Sequence, residues 1–297
     1  MSPLDNRSIA AALTEAAALL QGQGANPFRV RAYRRAADAV TALDVPATMI
    51  LEQSGREGLV ALPAIGRGIA AAIDEMAQVG SWSLLARLRG EADPVRLLQS
   101  VPSIGPVLAE RIHDILHVDS LESLEVAAHD GRLAGVPGIG SRRAESIRAF
   151  LSYRLGRSRR GSERTISRPA VSTMLEIDRQ YRRRAAAGRL ATITPRRFNP
   201  QGRSWLPVGH FERDGWHFTV LYSNTARAHR LGRTRDWVVV YYYDGDHQEG
   251  LHTVVTESSG RLAGRRVVRG RESECEVWYR SSVDQSQVTT RGEPAAT

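Results

Sequence analysis

LPAIGRGIA (residues 62–70), VPSIGPVLA (101–109) and VPGIGSRRA (136–144) are three copies of one phrase. Each reads apolar residue, proline, small residue, isoleucine, glycine, three further residues, alanine. Each is followed by a helical pattern: AAIDEMAQVG, ERIHDILHV and ESIRAFLSYRL. A phrase repeated at intervals of 39 and 35 residues marks a recurring supersecondary unit. Its physical reading is a tight turn between two helices. Proline starts the turn. Gly66, Gly105 and Gly140 are expected to permit backbone angles or close approaches that a side chain would block. Ala70, Ala109 and Ala144 let the paired helices pack closely. Such a turn aims backbone N–H groups outward at the start of a helix, which makes an anion site. A phosphodiester backbone fits it, and contact through main-chain atoms carries no sequence information.

The surroundings of the copies are helical. Ile9, Leu13, Ala16, Ala17 and Leu20 recur at helical spacing. Asn26-Pro27 reads as an N-cap with proline at the first helical position, opening a helix through FRVRAYRRAADAVTAL. Asp119 with Glu122 resembles a capping box. No alternating strand pattern occurs in the first 155 residues.

The turns resemble helix-hairpin-helix motifs. NPFRVRAYRRAADAV, LPAIGRGIAAAIDEM and the two later copies together resemble the N-terminal part of family X DNA polymerases, over roughly residues 5–155. The resemblance implies a small helical domain that binds the 5′-phosphate side of a gap or nick, and later hairpins that grip duplex backbone without sequence preference. Carried over, Arg29, Tyr33, Arg34 and Arg35 fall in the stretch that approaches the 5′-phosphate, and Phe28 sits where a ring stacks on a template base. Guanidinium forks, a phenol and a phenyl ring suit those tasks. The hairpins add Ile65, Gly66, Arg67 and Gly68; Ile104 and Gly105; and Gly138, Ile139, Gly140, Arg142 and Arg143.

The departures from the family are informative. Ala72 occupies the place of the lysine that performs 5′-deoxyribose-phosphate lyase chemistry in animal members, and Gly68 that of an auxiliary lysine. Arg67 is adjacent, but arginine stays protonated and cannot act as the amine. The first glycine of the hairpin motif is Ala64 in copy one and Ser103 in copy two; only Gly138 keeps it. Beyond residue 155 neither a glycine-serine phosphate turn nor paired aspartates appear. Residues 156–204 offer only Glu163, Glu176 and Asp178, too few clustered carboxylates for two-metal catalysis. Neither polymerase nor lyase activity is expected.

Of 297 residues, 41 are arginine and none is lysine, against 32 acids, for a net charge of +9. Schiff-base lysine chemistry and P-loop phosphate binding are thereby excluded. The surplus is local: residues 156–204 carry net +10, while residues 1–155 carry −1. Within that segment Arg182 and Arg183, on a helix over 170–188, are expected to lie along phosphates. The single cysteine, Cys275, excludes an internal disulfide and Cys-rich zinc modules. No apolar run approaches a membrane span. A cytoplasmic, nucleoid-associated protein is expected, with no membrane partner.

From Trp205 the pattern turns to strands. WHFTVLY, WVVVYYY and LHTVVTE read as β, SNTARAHRLG as a short capped helix between the first two, and RRVVRG and ECEVWYR as two further strands, the last burying Cys275. The expected fold is multidomain: an all-α helix-hairpin-helix half, then a small α+β, mainly antiparallel domain. The expected divisions are 1–90, a polymerase-like helical domain with the first hairpin; 91–155, a tandem hairpin domain; 156–204, an arginine-rich linker and helix; 205–280, the α+β domain; and 281–297, a disordered tail. The leading functional reading is a DNA-binding protein of repair that recognises gapped, nicked or branched DNA. Two alternatives stay open. One is a structure-directed nuclease or phosphodiesterase using residues such as His229 or Asp246. The other is an adaptor whose C-terminal domain docks a repair protein. No metal and no resident cofactor are expected, a monovalent cation at a hairpin being the one exception the motif admits.

Overall fold

The computed structural model describes residues 4–91, 94–116, 118, 121–156, 168–244 and 249–289. The N-terminal half is all helix. Helix α1 (Asn6–Gly22) starts at Asp5, whose carboxylate accepts the Ser8 N–H at 2.8 Å. Its apolar stripe, Ile9, Leu13, Ala16, Ala17 and Leu20, is fully buried. Helix α2 (Pro27–Thr41) starts at Asn26, whose side chain accepts the Phe28 N–H at 2.8 Å. With α3 (Ala47–Val60), α4 (Arg67–Val79) and α5 (Ser83–Arg89), these helices close one core reaching from Ile9 to Leu88. A second core, from Leu98 to Leu151, is built by α6 (Pro94–Leu98), α7 (Pro106–Leu116), α8 (Leu121–His129) and α9 (Ser141–Gly156). Asp119 lies outside the described residues, and so does the capping box proposed for it.

The three repeated phrases are the turns before α4, α7 and α9. Their left-handed residue is not the glycine after isoleucine. Gly66 is extended (φ −81°, ψ 173°). Positive φ falls two residues earlier, at Ala64 (63°), Ser103 (69°) and Gly138 (94°). A side chain in this region costs about 1–2 kcal/mol, so copies one and two hold the turn against local strain. The glycines after isoleucine are equally free of crowding: a Cβ at Gly66, Gly105 or Gly140 would meet no atom within 4 Å. The fold therefore does not require them, which corrects the expectation of forced angles or close internal approaches.

The C-terminal unit is a six-stranded antiparallel meander in the order β1-β2-β3-β4-β5-β6. Its strands are β1 (Ala191–Ile193), β2 (Leu206–Arg213), β3 (Trp216–Tyr222), β4 (Val238–Tyr243), β5 (Glu249–Thr256) and β6 (Arg266–Val268). The short helix α11 (Ala226–Arg230) follows β3, capped by Thr225 on the Ala228 N–H. The chain is thus multidomain, all-α followed by α+β.

The helix expected over 170–188 forms. Helix α10 (Val171–Ala186) buries Met174, Ile177 and Tyr181 in the sheet's core, at about 1.5–3 kcal/mol for each large apolar side chain. ECEVWYR is not a strand. It belongs to α12 (Glu272–Thr289), where Cys275 and Trp278 or Tyr279 stand three and four residues apart on the packed side. This helix also runs through residues 281–289, which were expected to be disordered; 290–297 lie outside the described residues. Arg266 ties the layer together: its Nη2 and Nε donate to Asp178 at 2.7 and 3.0 Å, and its Nη1 donates to Asp236 at 2.7 Å.

Both faces of the sheet are covered. Phe218, Val220 and Tyr222, with Tyr242, Val240 and Val238 opposite them, face α10, and Tyr181 donates to the Pro207 carbonyl at 2.8 Å. The other face carries His210, Thr219, Tyr241 and Tyr243 and meets the helical half. His210 Nε2 lies 3.1 Å from Gln23 Oε1, and its Nδ1 lies 3.2 Å from Thr219 Oγ1. The Arg87 guanidinium lies 3.9 Å from the centre of the Tyr241 ring, and that of Arg29 4.7 Å from Tyr243. Asn26 hydrogen-bonds Glu212. The second helical unit is joined through Arg227, which donates to the Asp114 carbonyl at 2.9 Å. At the junction of the two helical units, Gly90 (φ 75°) lies so close to Thr194 that a Cβ would stand 2.8 Å from its carbonyl oxygen.

Two consequences are measurable. Ala64→Gly relieves a left-handed alanine and should raise unfolding free energy by roughly 0.5–1 kcal/mol. Gly138→Ala should cost about 1–3 kcal/mol, because its Cβ also meets Arg111 Nη1 at 3.2 Å. Denaturant titration reads both, and an unchanged midpoint for the pair would show an unstrained turn. The second consequence concerns pH. Burial, and then the Arg29 charge, push the His210 imidazole from 6.5 down to about 3. The folded chain keeps it neutral while the unfolded chain protonates it below 6.5. Its contribution is therefore present above that pH and lost as pH falls toward about 3. In His210→Gln the slope of unfolding free energy over this window should be shallower by about one proton, or about 1.4 kcal/mol per pH unit. Identical slopes would place the histidine outside the buried contact.

Candidate nucleic-acid interface

Each turn is built by the same two main-chain hydrogen bonds. The isoleucine N–H donates to the carbonyl three residues back: Ile65 to Leu62 at 3.3 Å, Ile104 to Val101 at 3.1 Å, Ile139 to Val136 at 2.9 Å. The glycine carbonyl accepts from the N–H of the alanine four residues on: Ala70 at 3.0 Å, Ala109 at 2.9 Å, Ala144 at 3.0 Å. Ile65, Ile104 and Ile139 are buried plugs. Their side chains therefore cannot meet a ligand, and only their main chain faces outward. Gly66, Gly105 and Gly140 are exposed, at helix starts whose first N–H groups have no intrahelical acceptor.

The copies are unequal as donors. Arg67 and Ser141 follow the glycine in copies one and three, and each brings an N–H. Copy two has Pro106, which brings none, so its turn is the poorest anion cradle. Copies two and three open into one shared cleft of about 420 Å³, lined by Ser103, Gly138, Gly140, Arg142, Arg143 and Ser146. Arg143 Nη1 donates to the Gly138 carbonyl at 2.7 Å, and Arg111 Nη1 to the Pro137 carbonyl at 3.1 Å. Two guanidinium groups thus cover the turn's carbonyl dipoles and leave the rim cationic. Arg111 and Ser146 escaped the sequence reading, although each sits on the helix that follows a hairpin.

The residues expected at a 5′-phosphate lie together on α2. Phe28 is 74% exposed, with the Arg31 guanidinium 4.4 Å from its ring centre. Arg29 lies between two rings, 5.8 Å from Tyr33 and 4.7 Å from Tyr243. Tyr33 packs against Trp82 with ring centres 5.5 Å apart. Arg34 and Arg35 are exposed, and Arg34 hydrogen-bonds Gln21. The C-terminal sheet adds Tyr243 and the His217 ring stacked on it at 4.8 Å. No local signal in the sequence announced this contribution, which comes from docking. At the lyase position Ala72 is buried.

Arg67 and Gly68 open α4. Arg182 and Arg183 line a different cleft, between α10 and α12, that shares no residue with the inter-hairpin one. Arg265, Arg266, Arg269 and Arg271 do not converge on an open site: Arg269 meets Glu257 at 2.6 Å and Arg271 meets Glu274 at 2.5 Å. His229 is held by Asn224 Oδ1 at 2.6 Å and by the Phe198 ring at 4.6 Å, and burial lowers its pKa. Cys275 Sγ accepts the Val268 N–H at 3.4 Å, and burial raises its thiol pKa. Asp246 and His247 lie outside the described residues. Among the described residues no three His, Cys, Asp or Glu side chains group as a metal site, and no helix is long and apolar enough to cross a membrane.

Comparison with known proteins agrees with this geometry. Residues 4–82 match a helix-hairpin-helix domain, and residues 95–152 match a SAM-like helix-hairpin-helix tandem. Over 150 residues the chain is 28% identical to the DNA polymerase/3′-5′ exonuclease PolX of Bacillus subtilis, covering 48% of this chain and 24% of the polymerase. Over 114 residues it is 32% identical to the Holliday junction branch migration complex subunit RuvA of Synechococcus elongatus, covering 38% of this chain and 55% of that protein. The chain therefore spans about a quarter of the one relative and about half of the other. Its N-terminal half consists of helix-hairpin-helix units and resembles a stretch of a family X polymerase.

Proposed function

We propose that the chain binds DNA without sequence preference, in repair, and favours gapped, nicked or branched forms. One observation carries this reading. Three turns share one hydrogen-bond pattern, each presents an exposed glycine with open space in front of it, and two share a cleft rimmed by Arg142 and Arg143. Phosphate oxygens meet main-chain N–H groups there, and the arginines add charge. Gly66, Gly68, Gly105, Gly138 and Gly140 serve by lacking a side chain where a backbone must come close. At α2, Arg29, Arg34, Arg35 and Tyr33 receive a 5′-phosphate, and Phe28 stacks on the base at the end of the duplex. The two matched relatives bear names of DNA-processing proteins, which supports the partner class. No resident cofactor enters the reading. A protein of repair that docks on the C-terminal unit would meet the sheet at an edge, since both faces are covered. Association with the nucleoid follows from backbone binding.

Arg142→Ala should weaken duplex binding and lower the slope of log affinity against log salt by about one. An unchanged slope would remove Arg142 from the phosphate contacts. For α2 the comparison is between a 5′-phosphorylated gap and intact duplex of equal length. The gap should bind about tenfold more tightly, as for one or two charge-assisted hydrogen bonds, and Arg34→Ala with Arg35→Ala should erase the difference. Equal affinities in the parent chain would sink the gap-reading role and leave the hairpins standing.

A further inference from the structure

We propose that the cleft between α10 and α12 is a second binding site, for a nucleoside phosphate, independent of the hairpins. The cleft has a volume of about 690 Å³, within the range of small-ligand sites. Its two sides differ in chemistry. Trp278 and Tyr279 supply an aromatic wall, their rings edge to face at 4.7 Å. Arg182 and Arg183 supply a cationic rim one helix away. A planar base against the wall and a phosphate at the rim satisfy both.

The carboxylates in the same cleft are already engaged. Asp178 is fully buried and takes both its oxygens to Arg266, at 2.7 and 3.0 Å. Glu176 accepts from Arg179 and Gln180. Arg182 reaches Asp178 only at 3.9 Å, behind the bidentate Arg266 pair. Arg183, among the described residues, has no carboxylate within ion-pair distance. The cleft thus holds four arginines against two neutralised acids, and Arg182 and Arg183, both exposed, are the two with charge to spare. An anion is favoured there, and a free carboxylate ligand set for a metal is not formed.

The wall is also held in place. Tyr279 donates to the Arg266 carbonyl at 2.9 Å, and the Arg265 guanidinium lies 4.6 Å from its ring centre. The buried Cys275 anchors the same helix one turn earlier. A rigid aromatic wall loses little freedom when a base stacks on it. The nucleoside phosphate has two sources, a free nucleotide or the 5′-phosphorylated end of a single strand. Both offer the same base and phosphate.

The test uses the full chain. Tryptophan emission is followed while 2′-deoxyadenosine 5′-monophosphate is added, and bound nucleotide is measured in parallel by equilibrium dialysis. Saturable binding is expected, weakened about tenfold by Arg182→Ala with Arg183→Ala, as for the loss of one or two charged hydrogen bonds. Trp278→Phe should remove the emission change and keep dialysis binding, since phenylalanine still stacks. Competition by a 5′-phosphorylated oligodeoxyadenylate assigns the site to a strand end, and no competition assigns it to free nucleotide. Either outcome supports the site. The proposal is overturned if neither ligand binds, or if binding ignores both variants. Saturating 2′-deoxyadenosine 5′-monophosphate should leave duplex binding by the parent chain within about twofold, so failure of this site and failure of the hairpin reading are told apart.

Discussion

Burial of the C-terminal sheet on both faces is the constraint on which the rest of the molecule depends. One face packs on α10 and α12, the other on the helical half. An antiparallel sheet with one solvated face would alternate apolar and polar residues. Here β4 reads VVVYYY, because both sets of side chains are covered. The face toward the helices uses ring stacking and single hydrogen bonds: Tyr241 under Arg87, Tyr243 under Arg29, His210 between Gln23 and Thr219. This interface holds α2 at a set angle to the sheet. It also orders Arg29 before any ligand arrives, so less side-chain freedom is lost on binding.

The hairpins show a division of labour between two positions of one motif. The position before isoleucine carries the left-handed backbone, and the position after it carries the open space. A methyl or hydroxymethyl at the first costs conformational energy, and Ala64 and Ser103 stand there at that cost. At the second position the backbone is extended, and any residue could adopt it. Glycine there has no explanation inside the fold, and a close external approach supplies one. Strain and contact are thus separable in this motif, and copy one keeps its exposed N–H groups although it lacks the first glycine.

Local chemistry was legible in the sequence wherever one element settles it. The Asn26 cap, the α1 stripe, the three turns, Thr225 at α11 and strands β3 to β5 all follow from short-range pattern. Strand β2 did not, since LPVGHFER contains a proline and a glycine and packs His210 inward, features that read as loop. Helix α12 was misread because ECEVWYR alternates as well as it winds, and only its packing on α10 decides. The largest omission was the docking of the two halves. Its contacts join residues such as Gln23 and His210, 187 positions apart, and no local period reports such a pairing. The composite character of the α2 surface, with Tyr243 and His217 added from the sheet, was invisible for the same reason.

The arginine surplus has to be divided by environment before it says anything about phosphate. Arg266 is spent on Asp178 and Asp236, Arg89 on Glu15, Arg269 on Glu257 and Arg271 on Glu274. Arg87 and Arg29 stack on tyrosines. These groups hold the fold, and guanidinium suits the work because it stacks and is weakly hydrated. Other arginines have no carboxylate in ion-pair distance among the described residues, and those at candidate sites matter most: Arg34 and Arg35 on α2, Arg142 beside the inter-hairpin cleft and Arg183 at the rim of the α10–α12 cleft. Net charge of the helical half, near zero, is an average over its surface, and part of its acid content is paired within the fold, as Glu15 is with Arg89 and Asp74 with Arg56. Attraction for a phosphate depends on the unpaired arginines at a surface, and it is strongest where exposed main-chain N–H groups or an aromatic wall give an anion something further to hold.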